Sequence, residues 1–165
     1  MKALVVYESH YGNTEQIAEA IAEGIGPDAR ALNTTEATGK LIEEADLVVA
    51  GAPVMTFRLP NESVLSTLPK DTRAPRPADM SHPPLREWLD KLPRHPGTAA
   101  ASFETRLRWS PGGATGAIDE RFRKAGFRTI AKPGKFVVKG SYGPLREGEL
   151  ERAREWGATL TATLR

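Results

Sequence analysis

The chain of 165 residues contains no cysteine. This absence excludes disulfide bonds, a thiolate nucleophile and cysteine-ligated iron–sulfur clusters. Its three histidines, His10, His82 and His95, lie far apart in sequence and do not show the spacing of metal ligands. Any redox chemistry must therefore come from a bound organic cofactor.

Strong net charge and long apolar runs are also missing. The formal net charge is only +2, and no basic run is interleaved with aromatic residues, so nucleic acid is not expected as a partner. No apolar stretch reaches the length of about 18 residues that indicates a transmembrane helix, and the N-terminal segment lacks the pattern of a signal peptide. We expect a cytoplasmic protein with a single domain over residues 1–165 and no membrane contact.

The first 25 residues combine a short strand, a polar loop and an amphipathic helix. Residues 3–7 form an apolar run rich in β-branched side chains, which is typical of a buried parallel strand, and apolar residues then recur at helical spacing over residues 17–25. Because a helix begins directly after a strand, its free backbone N–H groups and the positive end of its dipole face the loop. Such a loop binds anions. The predicted binding residues are Ser9, His10, Tyr11, Gly12, Asn13 and Thr14.

This loop resembles the phosphate-binding loop of flavodoxins, which reads Ser/Thr-x-Ser/Thr-Gly-Asn-Thr after the first strand. The chain departs from that pattern at Tyr11, where a small hydroxyl residue is usual. The loop is neither a Walker loop nor a dinucleotide fingerprint, since the required Gly-Lys-Ser/Thr and the three spaced glycines are absent. The segment 143–153 is also similar to flavodoxin-domain proteins common in actinobacteria.

The order of the remaining elements agrees with the same family. Strands are predicted at residues 29–33, 46–50, 98–103 and 135–139, and helices at 36–44, 85–92, 114–125 and 147–164. The resemblance implies an α/β fold: a flavodoxin-like, doubly wound, five-stranded parallel sheet of order 2-1-3-4-5, with helices on both faces.

Ligands of such sheets bind at the carboxyl ends of the strands. The resemblance therefore implies a flavin ring between the loops that follow the third and fourth strands. The predicted contacts are Pro53, Val54, Met55, Thr56 and Phe57 on one side, and Phe103, Glu104, Thr105, Arg106, Trp109, Gly112 and Gly113 on the other. The second loop has no Tyr. The candidates for stacking on the ring are therefore Phe103, Trp109 and the guanidinium of Arg106 or Arg108. Gly112 and Gly113 are expected to leave the first amides of the next helix accessible.

The implied function is that of an FMN-binding protein that carries electrons or reduces a small acceptor. Its partner would be a redox protein or a small-molecule acceptor, and no catalytic side chain and no metal is predicted. Two alternatives keep the fold: a deazaflavin in place of FMN, or an interaction module without a cofactor. A phosphoacceptor receiver domain is disfavoured, because Ala50-Gly51 supplies no Asp at the end of the third strand.

The segment 61–84 contains five prolines and is predicted to lack a long helix or a central strand. Val64, Leu65 and Leu68 can form one short helical turn. Because the segment leaves from the loop that should cover the cofactor, we expect a lid that is mobile without ligand and more ordered with it.

Overall fold

A computed structural model describes residues 1–164 and contains one six-stranded parallel sheet. The strands are β1 (Ala3–Tyr7), β2 (Ala29–Asn33), β3 (Leu47–Pro53), β4 (Ala99–Leu107), β5 (Arg128–Thr129) and β6 (Gly134–Val138). The α-helices are α1 (Asn13–Ile25), α2 (Gly39–Glu43), α3 (Glu62–Leu65), α4 (Leu85–Asp90), α5 (Thr115–Lys124) and α6 (Glu149–Leu164), with a short 3-10 turn at Leu68–Lys70.

The strand order β2-β1-β3-β4-β5 confirms the predicted topology. The fifth position, however, is divided between two strands: Arg128 of β5 lies opposite Ala99, and Gly134 of β6 lies opposite Phe103. Pro133 interrupts the edge between them, because proline has no N–H to donate to β4. The strand predicted at residues 135–139 corresponds to β6, and β5 is a sixth strand beyond the five that were predicted.

Both faces of the sheet are covered, which explains the continuous apolar runs of the central strands. One core layer packs under α1 and α6 and includes Val5, Ile21 and Leu160. A Cβ at Gly157 would lie 2.3 Å from the carbonyl oxygen of Ile21, so α1 and α6 approach closely at this glycine. The opposite layer packs under α4 and α5 and includes Val48, Leu85, Ile118 and Phe122.

Two predicted boundaries need correction. β4 continues to Leu107, with Thr105 opposite Pro53, so Glu104, Thr105 and Arg106 belong to the strand and the following loop covers residues 108–113. The second helix begins at Gly39 instead of residue 36, because Thr38 is its N-cap and its hydroxyl accepts from the Leu41 N–H at 3.5 Å.

Within residues 1–164, none of the helices combines the length and apolar character needed to cross a membrane.

Candidate functional site

The loop between β1 and α1 has the backbone geometry of an anion site. Gly12 adopts a φ of 91°, a conformation that side chains disfavour, and its N–H donates to the Ser9 hydroxyl oxygen at 3.1 Å. The Thr14 hydroxyl lies 2.8 Å from that of Thr105 on β4. The 13-residue helix α1 thus begins at the carboxyl end of the sheet, with its positive end towards the loop.

A cleft of about 400 Å³ opens beside this loop, within the size range of small-molecule sites. It brings together most of the predicted contacts: Ser9, His10, Tyr11, Asn13, Thr14, Pro53, Val54, Met55, Thr56, Phe57, Thr105 and Arg106. It is also lined by residues from the segment 61–84, from the end of β6 and from the loop after β6 that were not predicted as cofactor contacts: Val64, Leu68, Asp71, Arg73, Val138, Ser141 and Tyr142.

One wall of the cleft is a tight turn with unusual backbone angles. Met55 and Arg58 exchange two backbone hydrogen bonds of 3.0 and 3.2 Å, while Thr56 and Phe57 between them have φ values of 49° and 69°. Positive φ is uncommon for β-branched and bulky residues, so surrounding contacts must hold this turn. The N–H of Gly113 donates to the Phe57 carbonyl oxygen at 3.0 Å. The turn presents Phe57 at the cleft with 56% of its surface exposed.

Glu104 has a structural position below the loop 108–113. Its carboxylate is fully buried and accepts from the N–H groups of Ala114 and Thr115 at 2.9 and 3.1 Å. Its second oxygen accepts from the Arg106 guanidinium at 2.6 Å, and Arg106 also donates to the Gly112 carbonyl oxygen at 3.0 Å. The expectation that the first amides of α5 are accessible is therefore wrong, because Glu104 occupies them.

The two aromatic candidates for ring stacking lie outside the cleft. Phe103 is fully buried, with its ring edge-on to that of Phe136 at a centroid distance of 6.5 Å. Trp109 is 69% exposed and lines a neighbouring shallow groove with Arg108 and Lys139. The aromatic rings that do line the cleft, apart from His10, are those of Tyr11, Phe57 and Tyr142.

The segment 61–84 crosses the cleft beside the phosphate loop. Its first residue caps α3, since the Asn61 side chain accepts from the Val64 N–H at 3.0 Å. Further along, the Tyr142 hydroxyl donates to the Asp71 carboxylate, and the Arg76 guanidinium donates to the Tyr11 carbonyl oxygen. The hydrogen bond from Tyr142 lowers the pKa of Asp71, and the same contact raises the pKa of Tyr142. These contacts attach the segment at several points, while its mobility stays a prediction.

A cluster of buried ionisable groups lies directly under the phosphate loop. Glu8 is fully buried, and His10 and His82 are only 5% and 7% exposed. One Glu8 oxygen lies 2.6 Å from Nε2 of His10, and the two imidazole rings stack with centroids 5.7 Å apart. Neither Glu8 nor His82 was predicted as a site residue. The position of Glu8 directly after the first strand was the signal from which its place in the site could have been predicted.

Comparisons with known proteins agree with this geometry. A family model described as Flavodoxin domain matches residues 4–64. A flavodoxin from the domain Archaea is 21% identical over 99% of both chains, with a TM-score of 0.66. Oxidised Flavodoxin 1 from Bacillus cereus is 18% identical over 98% of both chains, also with a TM-score of 0.66.

A larger protein contains the same unit. The Flv1 flavodiiron core from Synechocystis sp. PCC6803 is 22% identical over 99% of this chain and 36% of its own, with a TM-score of 0.63. None of the curated proteins matches the sequence. These findings show the fold: the chain has a flavodoxin-like α/β fold. The resemblance inferred from the phosphate loop is thereby confirmed, and the Flavodoxin domain match includes the whole of that loop.

Proposed function

We propose that this protein binds FMN in the cleft and carries electrons. The observation that supports this most directly is the Ser9–Thr14 loop, whose turn at Gly12 leads into α1 beside a cleft of suitable size. When bound, the flavin supplies the electron-transfer chemistry, and the protein contributes orientation and electrostatics.

The groups around the loop suit a phosphate on a ribityl chain. The Thr14 hydroxyl and the backbone N–H groups at the start of α1 are neutral donors of the kind that bind phosphate at a helix N-terminus. The Tyr11 hydroxyl is buried and has no hydrogen-bond partner within residues 1–164, so a polar ligand in the cleft could satisfy it. The flavin ring would then lie against the turn 55–58.

The surroundings of the cleft fit a carrier that meets its partner at the exposed Phe57. Arg58, Arg73 and Arg108 are all exposed near this mouth. Their charge favours an acidic redox protein or an anionic small acceptor over a basic partner. Flavin-dependent reduction of such an acceptor is the enzymatic variant of the same proposal.

A deazaflavin is the second candidate, and the arginines of the segment 61–84 favour it. Arg73 lines the cleft, and the Arg76 guanidinium lies beside the phosphate loop, 3.5 Å from the position of a Cβ on Gly12. Two cations at this end of the cleft could bind the additional negative charges of a longer deazaflavin tail.

Absorption spectroscopy tests the proposal. The purified protein should show or acquire a perturbed flavin spectrum on titration with FMN, and Gly12→Val should lose that binding, because a side chain is disfavoured at a φ of 91°. Gly116→Ala is the matched control, since nothing lies within 4 Å of its added Cβ. Binding of a deazaflavin but not of FMN would select the second candidate. Binding of neither, by a folded protein, would select the cofactor-free interaction module.

A further inference from the structure

We propose that Glu8 and His10 form a buried ion pair beneath the phosphate loop, and that protonated His10 positions this loop for an anionic ligand. His10 is thus a positioning residue whose proton sets the affinity of the site. The ion pair is a property of the free protein, whereas the identity of the ligand rests on the proposed function.

Both ring nitrogens of His10 lie within hydrogen-bond distance of an oxygen atom. Nε2 lies 2.6 Å from a Glu8 carboxylate oxygen, and Nδ1 lies 2.8 Å from the backbone carbonyl oxygen of Asp79. The Asp79 carbonyl oxygen can only accept, a Glu8 carboxylate can only accept, and neutral imidazole has only one N–H to donate. With Glu8 as a carboxylate, both hydrogen bonds form only with imidazolium, which is then paired with a fully buried carboxylate.

His82 has the opposite requirement. The Ser9 backbone N–H donates to its Nε2 at 3.1 Å, so that nitrogen must carry a lone pair. The proton of neutral His82 is then on Nδ1, which has no hydrogen-bond partner within residues 1–164 and lies 3.9 Å from an Asp79 carboxylate oxygen. The stacked pair of rings therefore holds one positive charge, on His10.

The surrounding charges support this division. Burial disfavours the cation on His10, but the hydrogen bond and negative charge of Glu8 outweigh it and raise the pKa of His10. Burial, and then the charge of His10, lower the pKa of His82. The other charged groups that act on this cluster are Asp79, Glu15 on α1 and Arg86 on α4.

The same residues connect the loop to the segment 79–85. The Asp79 N–H donates to the His10 carbonyl oxygen at 2.8 Å, and the Leu85 N–H donates to Glu8 at 2.8 Å. Loss of the His10 proton removes one of its two hydrogen bonds and leaves the Glu8 carboxylate uncompensated beside the anion site. Anion affinity should therefore fall as the pH rises through the pKa of His10.

The effect on stability has the same sign. Because the folded protein raises the pKa of His10, the stabilisation by its proton is complete below the unfolded value of about 6.5 and is lost as the pH rises through the folded pKa. The lowered pKa of His82 acts in the other direction: its contribution is complete above about 6.5 and is lost as the pH falls through the folded value.

Nitrogen-15 NMR of the cofactor-free protein tests the ion pair directly. The three histidines can be assigned with the variants His82→Gln and His95→Gln. At pH 7 we expect His10 to be protonated on both nitrogens and His82 to carry its proton on Nδ1. Glu8→Gln should lower the pKa of His10. A neutral His10 at pH 6 would overturn the proposal, whether or not any flavin binds.

Titration with FMN, riboflavin and inorganic phosphate tests the link to the loop. Above the measured pKa of His10, FMN and phosphate affinity should fall by up to about tenfold per pH unit, whereas riboflavin, which has no phosphate, should show no such fall. His10→Gln should bind FMN more weakly at pH 7 and lose this alkaline dependence. Equal pH curves for His10→Gln and the parent would refute the positioning role. A phosphate response without FMN binding would support it while rejecting the proposed cofactor.

Discussion

Gly112→Ala should destabilise the protein, because the backbone of Gly112 lies so close to Phe57 that no side chain fits between them. Gly112 has a φ of 75°, and an added Cβ would lie 2.1 Å from the carbonyl oxygen of Phe57. Adopting left-handed backbone costs a non-glycine residue about 1–2 kcal/mol, and overpacking a close contact typically costs about 1–3 kcal/mol more. We therefore expect the free energy of unfolding to fall by about 2–5 kcal/mol. The turn 55–58 should shift, and FMN affinity should fall with it.

Thermal and urea unfolding, followed by circular dichroism, measure this loss. For a chain of this size, the expected change corresponds to a decrease in Tm of roughly 4–20 °C. Gly116→Ala, four residues further along the chain at an exposed position in α5, should instead stabilise the protein by about 0.5–1 kcal/mol. If Gly112→Ala unfolds within about 0.5 kcal/mol of the parent, Gly112 does not support the turn as described.

Four further predictions concern the loop, two tryptophans and the segment over the cleft. Thr14→Ala should weaken FMN binding by about 1–3 kcal/mol in a fluorescence titration, whereas the exposed Thr35→Ala should not; equal losses would place the phosphate elsewhere. Trp109→Ala should change the free energy of unfolding by no more than about 0.5 kcal/mol and leave the flavin emission unchanged, since the Trp109 ring is 69% exposed and lies outside the cleft. An increase in flavin emission in this variant would show that Trp109 quenches the flavin. Trp88→Ala should cost about 3–5 kcal/mol, because the ring is buried and its N–H donates to a backbone carbonyl oxygen at 3.0 Å; a small loss would contradict this packing. In hydrogen exchange, residues 72–78 should gain protection when FMN is added, and equal protection in both states would exclude a lid.

The fold could be predicted because its signals are local. The apolar run of β1, the glycine turn and the helical spacing of α1 lie within 25 consecutive residues, and the strand order follows from the family that this stretch resembles. Boundaries were harder, since a strand end depends on its neighbour. β4 extends to Leu107 because β3 continues alongside it to Pro53, opposite Thr105, and β6 continues to Val138, opposite Leu107. Nothing in the residues of β4 themselves marks that length.

The site could be predicted only where its residues follow a strand directly in the sequence. The phosphate loop and the turn 55–58 were found because each follows a strand directly. Tyr142 comes from a loop far along the chain, and its role depends on a contact with Asp71, 71 residues away. Phe103 was predicted as a ring contact at the end of the fourth strand and Glu104 as part of the following loop, although both lie within β4, where alternate side chains face opposite sides of the sheet. Phe103 faces the core, and Glu104 accepts a hydrogen bond from the backbone at the start of α5.

The divided fifth strand also affects how the protein can associate with its own copies. An unpaired strand edge can recruit a strand from another chain, so short or covered edges protect against aggregation. β5 has only two residues, and the outer side of β6 is partly occupied, since Lys139 and Arg146 make backbone hydrogen bonds of 2.9 Å to Pro144 and Val137. At the other edge, β2 is five residues long and exposes Arg30. Both edges of the sheet therefore offer little opportunity for pairing with a strand of another copy, and the protein should stay dispersed at high concentration.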